Sequence, residues 1–333
     1  MNNLFIPHFF FTFVTKMITI SLYSAELTKE WDSFIRASRN GTFLFQRGYM
    51  DYHSSVFTDH SLLYRNEKGR LLAVMPCNAD GDTLYSHQGL TYGGFILAPA
   101  THAEDIRQMF ELTTAYLREH GFKRWIYKPV PTIYHNIPSQ EDEYFLWKNN
   151  ARLIECNLSS TVDYSAQPAL RAEYCRRNAV SRLSRHGIHL NMDTPLQFFW
   201  PLLTEHLHEK YGATPVHSLA EITLLQSRFP GNIRCYTAID NTGEILAGTV
   251  IYDFGSVAHA QYSTASARGQ GNGAQDFLYL SLINHYAAMP QMRYFDLGTS
   301  NEDHGNILNA TLNRYKEGFG ARGVAYKKYE III

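Results

Sequence analysis

The hydrophobic and polar positions of this chain follow helical and strand periods in an order that occurs twice. In each half, strands joined by tight turns precede a long helix, a further strand and a second helix. Turns of only a few residues join antiparallel strands and cannot join parallel ones, so each half is predicted to begin with an antiparallel meander. The pattern therefore predicts an α/β protein of the α+β type, with mixed sheets and two tandem domains.

The spacing of the apolar residues also predicts the individual elements. Helices are predicted at residues 25–38, 46–54, 103–120, 171–186, 196–211, 220–228, 274–288 and 306–315. Strands are predicted at residues 18–22, 43–45, 61–64, 71–75, 124–128, 233–239, 245–252, 257–264 and 293–297, before a β-rich tail. The boundary between the domains is expected between Asn157 and Pro168, which gives domains of 17–160 and 161–333.

The N-terminus carries an apolar run, Leu4 to Val14, that needs its own interpretation. The run is shorter than the roughly 20 residues that span a bilayer, and no Lys or Arg precedes it as in a signal peptide. Met17 follows closely, and the first predicted strand starts directly after it. We therefore expect Met1–Lys16 to be an extension outside the fold, from an upstream start, and we expect no membrane span.

Composition and charge exclude several classes of protein. The 333 residues carry a formal net charge of −1 with 18% charged residues, which argues against a DNA-binding protein that works through broad electrostatic attraction. The four cysteines are far apart and form no C-x-x-C pair, so neither a disulfide framework nor a zinc site is expected. We expect a cytoplasmic protein without a bound metal.

The segment Arg268–Ala274, with the sequence RGQGNGA, is the main candidate for chemistry. Three glycines within five residues allow the backbone to approach a bulky anion, and the helix that follows directs its free N–H groups toward it. Arg268 would add a planar set of donors for phosphate oxygens. The segment is therefore predicted to bind a pyrophosphate.

Two kinds of ligand compete for this segment. Gly269–Ala274 satisfies the dinucleotide fingerprint G-x-G-x-x-G/A, and Asp296 ends the next predicted strand where an acid that binds ribose would stand. The predicted strands before the segment are antiparallel, however, whereas the fingerprint belongs to a parallel βαβ unit. The context therefore disfavours a dinucleotide.

The same segment matches R/Q-x-x-G-x-G/A, the acyl-CoA pyrophosphate motif of the GNAT acyltransferase superfamily. From about Ile18 onward, the chain resembles the tandem two-GNAT proteins related to the FemAB peptidyltransferases. Their late motif places a Lys shortly before Phe-Gly, which Lys316 and Phe319-Gly320 match here. The basic helix predicted from Arg171 is similar to the helix that opens their second half. The resemblance implies two GNAT-like domains, the first of them degenerate.

The resemblance also implies a reaction and its donor site. The donor would be acetyl-CoA or another acyl-CoA, its pantetheine arm lying along a splayed strand at residues 261–265. The residues expected to bind the donor are Tyr262, Ser263, Thr264, Arg268, Gly269, Gln270, Gly271, Asn272, Gly273 and Ala274. Tyr315 would give a proton to the leaving thiolate, although it stands three residues before Gly318 where the usual pattern has four. Lys316 and Glu302 are the other catalytic candidates.

The first half lacks the phosphate motif, so it is expected to shape the site of an amine acceptor. His87, Tyr92 and Asn301 are the candidates for acceptor contacts, and the acceptor would be a cell-envelope peptide or an amino sugar. The glycines around His87 could equally make a plain bend, and residues 301–304 could equally be a solvated loop that caps the next helix.

Two further functions remain open from the sequence. The chain could use aminoacyl-tRNA as its donor, as a FemAB-like peptidyltransferase, or it could be a non-catalytic relative that holds a glycan or peptide. The near-neutral charge and the lack of a long charged heptad segment favour the thioester donor over tRNA. The intact glycine segment argues against a protein without activity.

Overall fold

The computed structural model describes residues 17–333, so the predicted extension lies outside the described residues. The helices are α1 (Thr28–Ala37), α2 (Arg47–Met50), α3 (Ala103–Glu119), α4 (Glu141–Lys148), α5 (Tyr174–Arg185), α6 (Leu196–Tyr211), α7 (Leu219–Arg228), α8 (Ala267–Asn272), α9 (Ala274–Ala287) and α10 (Ala310–Glu317). The first-half strands are β1 (Ile18–Leu22), β2 (Thr58–Asp59), β3 (Leu62–Asn66), β4 (Leu71–Met75), β5 (Asn78–Asp80), β6 (Thr83–Tyr85), β7 (Ile96–Leu97) and β8 (Arg124–Tyr127). The remaining strands are β9 (Arg152–Asp163), β10 (His189–Asn191), β11 (Ile233–Ile239), β12 (Ile245–Asp253), β13 (Val257–Ala265), β14 (Tyr294–Thr299), β15 (Asn301–Glu302), β16 (Ile307–Leu308) and β17 (Arg322–Ile332).

One large mixed sheet crosses the whole molecule. Its eleven strands have the order β10-β11-β12-β13-β14-β9-β17-β8-β6-β5-β2, and a smaller sheet has the order β1-β3-β4-β7. Strands β11, β12 and β13 form the predicted antiparallel meander, and β14 adds to it in parallel after the crossover through α9. The mixed sheets and the repeated order of elements confirm the predicted fold class.

The two halves exchange strands at the centre of this sheet. Strand β9, which ends the first half, pairs antiparallel with β14 and β17 of the second half. The end of β17 in turn pairs with β8 of the first half, Tyr329 opposite Tyr127 and Ile332 opposite Arg124. Residue 160, where the sequence placed the domain boundary, lies within β9. Each half therefore completes its sheet with a strand of the other.

Three apolar clusters cover the sheets. One packs α3 and α4 on the first half, and a second packs α5 and α9 on one face of the second half. The third fills the opposite face of the second half, where α6 and α7 meet aromatic side chains of the first half. The first half therefore covers one face of the second, and α9 covers the other.

Three short segments differ from the sequence-based expectations. Residues Phe43–Phe45 form a buried 3-10 helix instead of the predicted strand. The prediction was wrong because three successive apolar residues do not distinguish a helical period from a strand period. Residues 267–272 form helix α8 instead of a loop, and the Ser266 hydroxyl caps it by accepting from the Gly269 N–H. Residues 301–308 form the small hairpin β15-β16 around a short 3-10 turn, where a loop and the start of the helix predicted at 306–315 were expected; helix α10 begins only at Ala310. Strand β9 and the short strands β2, β5, β6, β7 and β10 were not predicted.

A single glycine tests the packing of the first half. Gly94 has φ +75°, and a Cβ there would lie 2.4 Å from the Tyr127 ring. Gly81 also has a positive φ but has nothing within 4 Å. We predict that Gly94→Ala lowers the free energy of unfolding by about 1–3 kcal/mol more than Gly81→Ala, since both bear the left-handed strain and only the first is overpacked. Equal losses in urea denaturation would contradict this packing.

Candidate active site

The site begins where β13 and β14 separate. The two strands pair only over three residues each, Val257–His259 of β13 and Tyr294–Asp296 of β14. Beyond His259, β13 continues to Ala265 with no strand paired to this edge. Its other edge stays paired with β12, with a β-bulge at Gln261. Bulges bend a strand and redirect its side chains, so residues 260–265 expose one backbone edge to the opening. An extended ligand can add to such an edge as a further strand.

A cavity of about 800 Å³ passes through this opening. Side chains of α5, α9 and α10 line it on one face of the sheet, and side chains of α6 together with Thr91 of the first half line it on the other. Its remaining walls are the edges of β13 and β14. The cavity therefore has walls on both faces of the sheet and reaches the split between the strands.

A histidine and a buried carboxylate stand at the split. His259 lines the cavity, and its Nδ1 lies 2.8 Å from Asp296 Oδ2, which is fully buried. Because the carboxylate accepts this bond, Nδ1 carries the proton and Nε2 keeps a lone pair in the neutral ring. The pair has the arrangement of a general base held in one tautomer by an acid.

Asp296 accepts further hydrogen bonds from two other strands. Ser159 and Thr161 of β9 donate from 2.5 and 2.9 Å, and the Tyr326 hydroxyl of β17 donates from 2.8 Å. Burial alone would raise the pKa of Asp296, but the hydrogen bonds from His259, Ser159 and Tyr326 outweigh it and lower the pKa to about 2. The carboxylate is therefore charged at neutral pH.

Lys316 and Tyr315, both predicted from the sequence, line the same cavity. The Lys316 ammonium donates to the carbonyls of Gly298 and Thr299 at 2.9 and 2.7 Å, and burial lowers its pKa to about 8. The Tyr315 hydroxyl donates to Asp276 at 2.9 Å, and burial raises the pKa of Tyr315. Tyr315 therefore keeps its proton at neutral pH.

The predicted donor strand contributes two polar residues to the cavity. Ser263 and Thr264 line it, and the buried Thr264 hydroxyl has no hydrogen-bond partner in residues 17–333. Tyr262 does not line the cavity, because its hydroxyl bonds His217 Nδ1 at 2.5 Å and its ring packs on Trp200.

The glycine segment contributes part of the cavity wall. Gly269, Gln270 and Gly273 line the cavity, whereas Arg268, Gly271, Asn272 and Ala274 do not. The glycines of the segment differ in whether a larger side chain could replace them. A Cβ at Gly269 would lie 1.8 Å from the Leu246 carbonyl oxygen, and Gly273 has φ +85°, but nothing lies within 4 Å of a Cβ at Gly271. The protein's own packing therefore requires glycine at 269 and 273 and leaves space at 271.

Arg268 is engaged in ion pairs at the surface. Its guanidinium donates to Asp240 at 2.7 Å and also pairs with Glu244, and its side chain is 56% exposed. Arg176 of α5 reaches the first turn of α9, where it donates to both oxygens of Asp276 at 2.7 Å. Sequence reasoning named Arg268 and did not single out Arg176 within the basic helix.

The first-half candidates are buried beside the cavity. His87 and Tyr92 are 4% and 2% exposed, and neither lines the cavity. The residue between them that does line it is Thr91. The turn is held by the buried Lys128 ammonium, which donates to the carbonyls of His87 and Leu90. His87 and Tyr92 are therefore buried residues of the turn that positions Thr91 in the cavity wall.

Asn301 and Glu302 lie in the hairpin beside the cavity and do not line it. Asn301 accepts from the Leu158 N–H at 2.6 Å, which ties the hairpin to β9. The exposed Glu302 accepts from Asn309 at 2.8 Å. The roles of these two residues in binding and catalysis stay predictions of the sequence.

Known proteins resemble this arrangement. Residues 177–317 match the family described as the acetyltransferase (GNAT) domain. This match lies within the second half of the chain. No curated protein sequence matches the chain.

The solved structures extend the likeness of fold to the whole chain. FemX has a TM-score of 0.67 at 10% identity, over 95% of this chain and 97% of that one. The C-terminal domain of a putative lysylphosphatidylglycerol synthetase from Agrobacterium fabrum has a TM-score of 0.57 at 15% identity, over 92% of each chain. A tandem GNAT protein from the clavulanic acid biosynthesis pathway has a TM-score of 0.51 at 12% identity, over 94% and 98%. These findings confirm the predicted resemblance to tandem GNAT and FemAB-like proteins.

The tandem GNAT fold excludes the dinucleotide alternative. Asp296, the acid proposed to bind ribose, is fully buried and engaged by protein donors. It therefore cannot reach a ligand hydroxyl. Within residues 17–333, no group of three or more His, Cys, Asp or Glu side chains is placed to hold a metal ion, and no helix is long and apolar enough to cross a membrane.

The buried Lys128 generates a prediction for the pH dependence of stability. Burial, reinforced by Lys328, lowers its pKa to about 7, so the unfolded chain binds more protons than the folded one above that pH. We predict that the free energy of unfolding rises by about 2 kcal/mol from this group between about pH 7 and about pH 9, in the same direction as the contribution of Lys316.

Urea denaturation at both pH values measures this change. In Lys128→Met the rise should shrink to the part that Lys316 supplies, whereas the exposed control Lys68→Met should keep the whole rise. The same pH dependence in Lys128→Met and in the unsubstituted protein would show that burial does not lower the pKa of Lys128.

Proposed function

We propose that this protein transfers an acyl group from an acyl-CoA thioester to an amine, at the split between β13 and β14. The observation that carries the proposal is the His259–Asp296 pair at a cavity whose walls come from both faces of the sheet. A non-catalytic binding protein has no need of a buried, charged carboxylate that orients a histidine toward its ligand. The pair therefore favours the enzyme over the binding protein.

The donor is assigned to the face that α9 covers. Its pantetheine arm would bond the free edge of β13 at residues 260–265, and its phosphates would lie at the N-terminus of α9 near Gly273. The unpartnered Thr264 hydroxyl in the cavity wall supports this placement.

The chemistry requires a proton to be removed from the amine and one to be given to the thiolate. His259 Nε2 accepts the proton from the attacking nitrogen, and Asp296 stabilises the resulting imidazolium. The nitrogen forms a bond to the thioester carbon, the carbon–sulfur bond breaks, and Tyr315 protonates the sulfur. Lys316 holds the carbonyls of Gly298 and Thr299 and so fixes the β14 side of the opening.

Aminoacyl-tRNA is the second candidate donor, and two observations favour it. Arg268 is neutralised by Asp240 and Glu244 and does not face the cavity. Two arginines of helix α5 reach the junction of α8 and α9, where Arg176 pairs with Asp276 and Arg182 donates to the Asn272 carbonyl at 2.5 Å. The phosphates of a tRNA could contact this basic helix, whereas the phosphates of a CoA thioester would contact only the N-terminus of α9.

The choice of donor is testable by binding. We predict that acetyl-CoA raises the melting temperature of the protein and that Gly271→Val abolishes the rise without lowering the melting temperature of the free protein much, because the new side chain enters open space. Arg268→Ala should have a small effect, since its charge is already paired. If aminoacyl-tRNA raised the melting temperature and acetyl-CoA did not, aminoacyl-tRNA would be the donor.

The role of His259 is testable by kinetics. We predict that His259→Gln lowers kcat by about 10²- to 10⁴-fold, because the amine loses its proton acceptor. The KM for the donor should change little. Release of the CoA thiol, measured with an amine in excess, gives both constants. The exposed His189→Gln serves as the control and should keep full activity. Full activity in His259→Gln would exclude it as the general base.

A further inference from the structure

Three polar side chains line the cavity between α9 and the free edge of β13. Gln275 and Tyr279 stand four residues apart on α9, so they project from one side of the helix, and Ser263 comes from β13. Burial raises the pKa of Tyr279, and the nearby Ser263 hydroxyl and Gln275 amide reduce that rise. The three side chains therefore lie close together, beside the part of β13 where the pantetheine arm is proposed to bind.

Gln275 has the largest hydrogen-bonding capacity of the three. A primary amide offers two N–H donors and an oxygen with two lone pairs. Both polar atoms are shielded from solvent, and neither makes a hydrogen bond to another residue of the described range 17–333. The Tyr279 hydroxyl beside the amide could pair with one of these groups, and a donor and an acceptor would still remain. By contrast Gln270, which also lines the cavity, donates to the Ala265 carbonyl at 3.1 Å.

The amide of Gln275 is not needed for the helix itself. Leu and Met have helix propensities at least as high as that of Gln, and neither would place polar atoms in a shielded position. A shielded polar group that is only partly satisfied lowers the stability of the folded protein. A ligand with a donor or an acceptor at this position would compensate for that loss.

The pantetheine arm carries groups of this kind. It contains two secondary amides, and the C=O and N–H of a planar trans amide point in opposite directions. The edge of β13 can therefore bond only one of the two groups of an amide, and the other group needs a partner from a different element. Gln275 offers both a donor and an acceptor, so it can bond either group.

We propose that the Gln275 side chain binds an amide of the pantetheine arm, at the group that the β13 edge leaves unpaired. The inference rests on the proposed acyl transfer and adds a side chain that selects the donor. Aminoacyl-tRNA attaches its acyl group through a ribose ester and has no pantetheine arm. Gln275 therefore favours an acyl-CoA over aminoacyl-tRNA.

Binding of acetyl-CoA, measured by calorimetric titration, tests the inference without turnover. Gln275→Met keeps the length of the side chain and removes its hydrogen-bonding groups. The Kd of acetyl-CoA should rise about 3- to 10-fold, as expected for the loss of one neutral hydrogen bond. The matched control is Gln197→Met, because Gln197 is the exposed second residue of α6 as Gln275 is the second residue of α9. The control should leave the Kd unchanged.

The melting temperature of the free protein separates a role in binding from a role in folding. Gln275→Met should keep or raise it, because the substitution removes shielded polar atoms and little else. A lower melting temperature together with an unchanged Kd would show that Gln275 supports the fold, and the inference would be wrong.

S-acetylpantetheine, which has both amides and no nucleotide, assigns the contact to the arm. Release of its thiol, with an amine in excess, gives kcat/KM for this donor. In Gln275→Met this constant should fall by the same factor as for acetyl-CoA, whereas kcat with acetyl-CoA should change little. A loss confined to acetyl-CoA would place Gln275 at the nucleotide and would overturn the inference.

These measurements distinguish a failure of the inference from a failure of the proposed function. Binding of acetyl-CoA that depends on Gln275, without acylation of any amine, would contradict acyl transfer alone. Acylation with the same Kd in Gln275→Met and in the unsubstituted protein would contradict the inference alone. If acetyl-CoA did not bind, the inference would be wrong and aminoacyl-tRNA would be the remaining donor.

Discussion

The charged carboxylate of Asp296 is the constraint on which the rest of the site depends. It is fully buried at the last residue of β14 that pairs with β13, and a buried charge is unfavourable by several kcal/mol unless hydrogen bonds compensate for it. Ser159, Thr161, Tyr326 and His259 supply those bonds from three different strands. The network fixes the strands at the point where they separate, and it fixes the orientation of His259.

The same network explains why the two halves form one structure. Strand β9 donates through Ser159 and Thr161, strand β17 donates through Tyr326, and both strands cross between the halves. Tyr134 of the first half bonds the Tyr326 hydroxyl at 2.9 Å. A change in the first half therefore reaches the carboxylate through one tyrosine pair. In the proposed reaction, the second half supplies the base and the donor face, and the first half closes the acceptor side.

Long periodic segments were predictable from the sequence, and contacts between distant residues were not. Helix α6 and strand β11 begin and end at the predicted residues, because their apolar spacing extends over their full length. His259 was missed because a polar residue in an alternating strand carries no mark of its function. Its partner Asp296 is 37 residues away and comes beside it only through the parallel pairing of β13 with β14. The motif predicted that Arg268 binds phosphate, but in the structure Arg268 forms ion pairs with Asp240 and Glu244.

The central claim is that an acyl donor binds along the free edge of β13 at the split. Amide hydrogen exchange tests it directly, because the N–H groups of residues 260–265 that face the opening have no strand partner and exchange with solvent. Saturating acetyl-CoA should slow exchange in a peptide that covers these residues, while leaving β1 and β3 of the first half unchanged. If acetyl-CoA or aminoacyl-tRNA bound without slowing exchange at residues 260–265, the donor would not lie along β13, and the proposed binding mode would be wrong.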